Sequence, residues 1–534
     1  MDAKPQQNPE PLSSTLPPEG ATSVPPPPPA LRTTLRRAAF GAVAGAVLVA
    51  GAVVAVPDEV AKKTVPPAPG PVARAEAAAA AGSPASLSDL TALIGDRQKW
   101  VETHPSDAPS WAALGTAYVE WGRRSADPAY YTRAERALQR SLAAQPGERG
   151  NTQAWVGLGA LANARHDHLA AKKWGETVRA RQPKDWTAYP VLIDAYNGLG
   201  EYEAAGKATE RFGALRKGAP SLARTSDMYR NQGWREDALA TAQEAADRAT
   251  GPAEKAAALH RLGGLAWERG EPAEALAQYE AALRTDRGHL ASRAGRARAL
   301  AALDRTDEAL ADYRTVTVKL PLPEYVLELG ELYESMDLDG DARTQYAELR
   351  RLLDRARAAG VNESVLEARY EADHGDPEAA VELMRTEWAS LRRSSAVSDA
   401  LGWALHRAGR SEEAVRYAER AVETGERNAS YAYHLGVIES SLGQDGPARG
   451  HLEEALRTNP EFSPLAAPLA QEALEELGEP ASGGPAELSE PEPEPAPSAS
   501  FSPSAAPKAE PAPERGADSG AAPEPKRSAT PAAS

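Results

Sequence analysis

Two clusters have the residue types and spacing for metal chemistry. His166 and His168 form a His-x-His, and imidazoles at that spacing can share an ion when a third ligand stands near. No third ligand is specified, and the pair falls where a turn between two helices is expected, so it is read as a polar turn and no metal is assigned. Asp337, Asp339 and Asp341 take positions 1, 3 and 5 of a calcium loop, and Glu348 falls at position 12. The glycine, however, stands at position 4 instead of 6, and Arg343 brings a cation to position 7, where an oxygen is needed. A turn is the better account, with calcium as the alternative.

Other chemistry is harder to place. No phosphate-cradling glycine loop, serine elbow or His-Glu-x-x-His occurs. Cysteine is absent, which removes disulfides, thiolate zinc, a thiol nucleophile and a lipid-modified cysteine. A formal charge of −16 over 534 residues, without a compensating basic patch, opposes nucleic-acid binding. No catalytic residue and no cofactor is assigned, and the chain is read as a non-enzyme. Asn362-Glu-Ser364 and Asn428-Ala-Ser430 match a glycosylation acceptor pattern, yet each stands where a helix begins, so capping is the plainer use.

The elements that position these residues lie between two polar, proline-rich ends. Residues 1–37 and 479–534 carry too little apolar surface to offset the entropy of ordering and are expected to be disordered. Between Arg32, Arg36, Arg37 and Asp58, Glu59 lies an uncharged apolar run, 38–56, whose 19 residues at ~1.5 Å each just span a ~30 Å hydrocarbon core. The arginines predict a cytoplasmic N-terminal side and an inner-membrane, single-pass topology with the rest extracytoplasmic. Ala50-Gly51-Ala52 offers the competing reading of a cleaved signal, and Gly41-x-x-x-Gly45 would let two such helices pair. Residues 57–86, rich in Pro and Ala, read as a flexible stalk.

From 87 onward a period dominates. Leu-Gly recurs at 114–115, 158–159, 262–263, 329–330, 401–402 and 435–436, the last two 34 residues apart. Trp111, Leu114, Gly115 and Tyr118 precede Ala134, Leu138 and Pro146, with an insertion of about seven residues around 125–131. Trp155, Ala171 and Pro183, then Tyr189, Leu192, Tyr196 and Ala205, then Ala275, Tyr279 and Ala282 continue the pattern. A copy near 361 departs most, with Glu371 where an aromatic belongs.

The series resembles the tetratricopeptide repeat, a helix–turn–helix unit with Leu-Gly on its first helix and Ala, an aromatic and Pro on its second. The resemblance covers 108–462 and implies an all-α, right-handed superhelical solenoid of about ten helix pairs, preceded by one N-terminal transmembrane helix and flanked by disordered termini. Leu90, Ile94 and Val101 predict an N-terminal cap helix over 87–107, and Leu465, Leu469 and Leu474 a C-terminal one over 463–478.

In this family first helices line a concave groove, and inward positions lie about 2, 5, 9, 12 and 13 residues into each repeat. Mapped here they are Asp194, Asn197, Asp227, Arg230, His260, Trp267, Arg298, Glu331, Glu334, Arg369, Trp403, His406 and Tyr433. Mixed charge with large aromatics suits a protein or peptide segment better than a metabolite. The implied function is a scaffold or adaptor of a bacterial envelope assembly, touching inner-membrane lipid through 38–56 and pairing through that helix. Alternatives are a cleaved, secreted or periplasmic binding module and an enzyme accessory domain.

Overall fold

The computed structural model describes residues 68–146 and 151–478, all within one unit of the chain. Every regular element among them is an α-helix. The first pair is α1 (Pro71–Ala81) and α2 (Leu87–Thr103). Units 1 to 4 are α3 (Ala108–Ser125) with α4 (Ala129–Ala144), α5 (Thr152–Ala164) with α6 (His168–Arg181), α7 (Ala188–Leu199) with α8 (Tyr202–Leu215), and α9 (Ala219–Asn231) with α10 (Arg235–Arg248). Units 5 to 7 are α11 (Pro252–Glu268) with α12 (Pro272–Thr285), α13 (Leu290–Ala301) with α14 (Thr306–Lys319), and α15 (Pro323–Glu334) with α16 (Asp339–Ala358). Units 8 to 10 are α17 (Ser364–His374) with α18 (Pro377–Ala389), α19 (Ser395–Arg407) with α20 (Ser411–Val422), and α21 (Ala429–Ser441) with α22 (Asp445–Thr458), and α23 (Ala466–Glu476) closes the array.

The Leu-Gly repeat has a steric cause. A Cβ at Gly263 would stand 2.6 Å from Tyr279, at Gly330 2.5 Å from Tyr346, at Gly402 2.9 Å from Ala418 and at Gly436 2.9 Å from Leu452. In each case the first helix is notched so that a residue 16 positions later, on the second helix, can lie against its backbone. In unit 1 the same notch, Gly115, receives Leu138, 23 positions later. The difference is the seven-residue insertion, accommodated by an 18-residue α3 and a 16-residue α4.

Turns and caps complete each pair. One left-handed residue reverses the chain between the paired helices: Ala126, His166, Gly200, Gly233, Gly270, Asp304, Asp337, Gly409 and Gly443. Only unit 8 departs, its Gly375 having φ −137°, and this is also the copy whose sequence strays furthest. Side-chain oxygens of Asp107, Asn151, Asp167 and Asn428 accept from N–H groups of the following first turns.

First helices of successive units also touch one another, as in α3 with α5, α5 with α7, α17 with α19 and α19 with α21, whereas second helices show no comparable packing. Helices that meet at a smaller radius line the inside of a curve, so the first helices form the concave face.

After six units the chain meets itself again. Ala126 in the turn of unit 1 packs against the cluster of Ala294, Val316, Leu320 and Tyr325, where unit 6 passes into unit 7. In unit 2, the Arg165 carbonyl accepts from Asn362 N (3.0 Å) and His166 Nδ1 donates to Asn362 O (2.8 Å). In unit 3, the Leu199 carbonyl accepts from Arg393 N (3.3 Å) and Tyr202 Oη from Ser395 N (2.8 Å). The unit 4 turn lies against Gly425 at the start of unit 10, and in unit 5 the Trp267 carbonyl accepts from Asn459 Nδ2 (2.9 Å), ahead of α23. The hydrogen-bonded partners are 192 to 197 residues apart, so successive superhelical turns lie against each other along a seam.

Three expectations need correction. No helix among the described residues is long and apolar enough to cross a membrane: α16, at 20 residues, carries Asp and Arg throughout, and the apolar α1 has 11 residues. The expected transmembrane helix, 38–56, lies outside the described residues. Accordingly, the inner-membrane single-pass topology, the periplasmic repeats, the lipid contact through 38–56 and the homodimer through that helix are withdrawn. Secondly, residues 71–81, read as flexible stalk, form α1, which buries Ala75 against α2 and pairs Arg74 with Asp89 (Nε to Oδ2, 3.1 Å); its Ala-rich sequence is a strong helix former. The leader 1–37 and tail 479–534 also lie outside the described residues. Thirdly, the calcium alternative fails on geometry, because Asp339 to Glu348 are helical and cannot wrap an ion.

Candidate functional site

The thirteen residues expected to line the groove all lie on first helices, six of them in a chain of polar links between neighbouring units. Arg224 on α9 reaches Asp194 on α7 (Nη2 to Oδ2, 3.0 Å), and Arg261 on α11 grips Asp227 on α9 through Nε (2.8 Å) and Nη2 (3.0 Å). Arg230 lies 3.4 Å from Glu268 of the next unit. Arg298 on α13 pairs with Glu328 on α15, which also accepts from Tyr313 Oη (2.8 Å). His374 at the end of α17 sits between Glu334 (3.2 Å) and Glu331 (3.8 Å).

Burial opposes the charge of Arg298, but Glu328 outweighs it and holds the guanidinium well above its ordinary value. Burial would raise Asp227, yet the facing Arg261 holds it below the usual carboxylate range. For Glu324, at the start of α15, burial wins with help from Glu328 and pushes it up to about 7.

The remaining lining residues divide by burial. Trp403 and Tyr433, expected to meet a partner, are only 6 % and 5 % exposed. Trp403 stacks on His434 at 4.2 Å and donates from Nε1 to Asp373 of unit 8 (2.8 Å), while Tyr433 packs against Phe462. Both therefore cement units together. His260 lies between Tyr279 and His289, its Nδ1 buried without a hydrogen bond, and burial pushes it down to about 3. His406 Nδ1 is 3.0 Å from Ser411 Oγ, and Trp267 lies under the Arg298 guanidinium at 5.8 Å. Asn197 and Arg369 stay reachable: Asn197 lines a cleft of 110 Å³ with Arg224, Met228 and Thr424, and Arg369 is exposed.

His166 and His168 do not converge on an ion. His166 is the left-handed turn residue of unit 2 and joins the seam, while His168 Nδ1 donates to Asn163 Oδ1 at 3.3 Å. No group of three or more metal-capable side chains is found among the described residues.

No family model matches the chain, and no curated protein matches it. Among solved structures it is similar to a tetratricopeptide repeat protein from Parabacteroides merdae, with 19 % identity, 48 % of this chain and 98 % of that one covered, and a TM-score of 0.29. The Cut9–Hcn1 hetero-tetramer of the APC/C aligns at 12 % identity over 73 % of this chain and 82 % of that one, with a TM-score of 0.37. PilF of Pseudomonas aeruginosa aligns at 20 % over 39 % and 95 %, with a TM-score of 0.31. Superpositions this low carry no functional weight. The tetratricopeptide-like character rests on the chain's own helix pairs, notches and turns.

Proposed function

We propose that this chain is a binding scaffold that holds a protein or peptide segment against its concave first-helix face, without turnover. The supporting observation is the state of the ion pairs there. Arg224–Asp194, Arg261–Asp227, Arg230–Glu268 and Arg298–Glu328 bridge neighbouring units yet leave 25 % to 40 % of each side chain exposed. A paired charge that is still wet can exchange its partner for a group on a ligand at modest cost, which suits a polar extended segment.

The test uses the full-length chain as bait. Arg369→Glu and Asn197→Ala should each weaken capture of the principal partner by roughly 5-fold, the effect of about 1 kcal/mol at an interface, while helicity and melting temperature stay unchanged. Unchanged capture by both variants, with loss of capture on deleting 479–534, would move recognition to the tail and end this reading.

A further inference from the structure

We propose that the seam between superhelical turns is a latch that closes the first-helix face to macromolecules, and that a segment reaches that face only when the seam parts. The inference rests on the binding reading above and adds its regulation.

The seam is built as a reversible contact. Within a turn, neighbouring units share continuous apolar cores such as that running from Ala266 to Tyr370. Across the seam, by contrast, the contacts are mostly polar: hydrogen bonds at the Arg165, Leu199 and Trp267 carbonyls and at His166 and Tyr202, the Arg355–Asp127 ion pair (3.3 Å), and apolar contact limited to Ala126 and to Ala356 and Val361, which join the edge of the core of units 1 and 2. Local openings follow the thinnest contacts, so the seam opens before any unit unfolds.

The glycines identify the latch positions. Gly200 and Gly409 are equivalent turn residues of units 3 and 9, both with φ +77°. A Cβ on Gly409 would meet nothing within 4 Å, whereas one on Gly200 would stand 2.5 Å from Arg393 O and 2.9 Å from Ser394 N. Gly233 is blocked in the same way by the Gly425 carbonyl, and Gly270 by Pro460 at 2.8 Å. The backbone conformation alone asks for glycine at both 200 and 409; close approach of the next turn is added only at 200. With the seam shut, the concave face is the wall of an enclosed lumen. Groups of different turns then share it: Glu426, just before unit 10, lies close enough to Arg230 of unit 4 to help hold it charged.

Asparagine tolerates the left-handed conformation, so Gly200→Asn keeps the helix end while forcing a side chain into the seam. Gly409→Asn carries the same backbone cost without touching it. The chain has no cysteine, so introduced thiols report cleanly. In full-length protein, spin labels at Glu203→Cys and Glu423→Cys flank the seam and should give one short, narrow distance. Gly200→Asn should add a longer, broader population, and Gly409→Asn should not. A thiol at Asn197→Cys should react with N-ethylmaleimide in every variant. A polyethylene-glycol maleimide should react with it ~10-fold faster in the Gly200→Asn background, because its rate follows the open fraction.

The latch is overturned if Gly200→Asn leaves both distance and bulky-reagent rate at the Gly409→Asn values. It is equally overturned if the bulky reagent already reaches the parent thiol as fast as the small one. Neither readout involves a partner, so failure of the latch is distinguishable from failure of groove binding, which Arg369→Glu tests separately.

Discussion

Replacing Gly263 by alanine isolates the reason for the Leu-Gly repeat. In an unobstructed helix interior the change stabilises by about 1 kcal/mol, because glycine loses more backbone freedom on folding. At Gly263 the added methyl would stand 2.6 Å from Tyr279 Cε1 and 2.7 Å from Cδ1. The ring cannot retreat: Tyr279 is 2 % exposed, and it also fills the Cβ position of Gly295 on α13. Overpacking of this kind costs about 1–3 kcal/mol, so the net expectation is a loss of about 0–2 kcal/mol. The neighbouring Gly264, with nothing within 4 Å of its Cβ position, is the internal control; Gly264→Ala should stabilise by about 1 kcal/mol. On a Tyr279→Leu background the ring is gone, and Gly263→Ala should become stabilising by a similar amount. The double-mutant cycle would then give a coupling of about 1–3 kcal/mol. A repeat array need not unfold in one step, so the assay is native-state hydrogen exchange of the α11 and α12 amides, with denaturant curves alongside. Equal stabilisation by Gly263→Ala in both backgrounds would refute the steric account.

Trp403→Ala should cost about 3–5 kcal/mol at the junction of units 8 to 10, since it opens a cavity beside His434 and removes the donor to Asp373; a melting temperature within a degree or so of the parent would refute the packing role. Acid should weaken the fold, because burial pushes His168 and His260 from 6.5 down to about 3, so the unfolded chain takes up protons that the folded one refuses. Stability is then full above about 6.5 and declines below it by at most ~1.4 kcal/mol per pH unit for each group. His260→Phe should flatten part of that decline in thermal melts between about pH 5 and 7, and an identical slope would count against it. His374 has the opposite sign: Glu331 and Glu334 outweigh burial and hold it above 6.5, so its contribution is present below 6.5 and is lost as pH rises through the folded value.

The repeat units were legible because their causes are local. Gly263 and Tyr279 are 16 residues apart, the insertion in unit 1 lengthens that spacing to 23, and both intervals can be counted in a string of letters. Helix was legible too, since position in the repeat put all thirteen expected residues on first helices. Their occupation was not. Whether Arg298 greets a ligand or Glu328 depends on the twist between units 6 and 7, and Trp403 is buried because His434 and Asp373 arrive from units on either side. Composition also misjudged 71–81, where an alanine-rich run resembles a linker until Asp89 is there to receive Arg74.

The seam left no trace in any motif, and its origin explains why. Most rungs join a turn to a loop 192 to 197 residues away through backbone carbonyls, which every residue type possesses. His166, the one side chain that drew notice, did so for its imidazole, whereas its structural roles are a left-handed φ of 58° and one donated hydrogen bond. Contact between turns requires more units than one turn contains. Units 1 to 5 meet units 7 to 10 and α23, so an array ending after unit 6 would lack those rungs however well each unit folded. Unit number, which for the stability of a solenoid adds only one more interface, here decides whether the concave face is an open groove or an enclosed lumen. Shortening the chain from α23 should therefore remove rungs one at a time, freeing first the Trp267 carbonyl and then the turn of unit 4, while the units that remain stay folded.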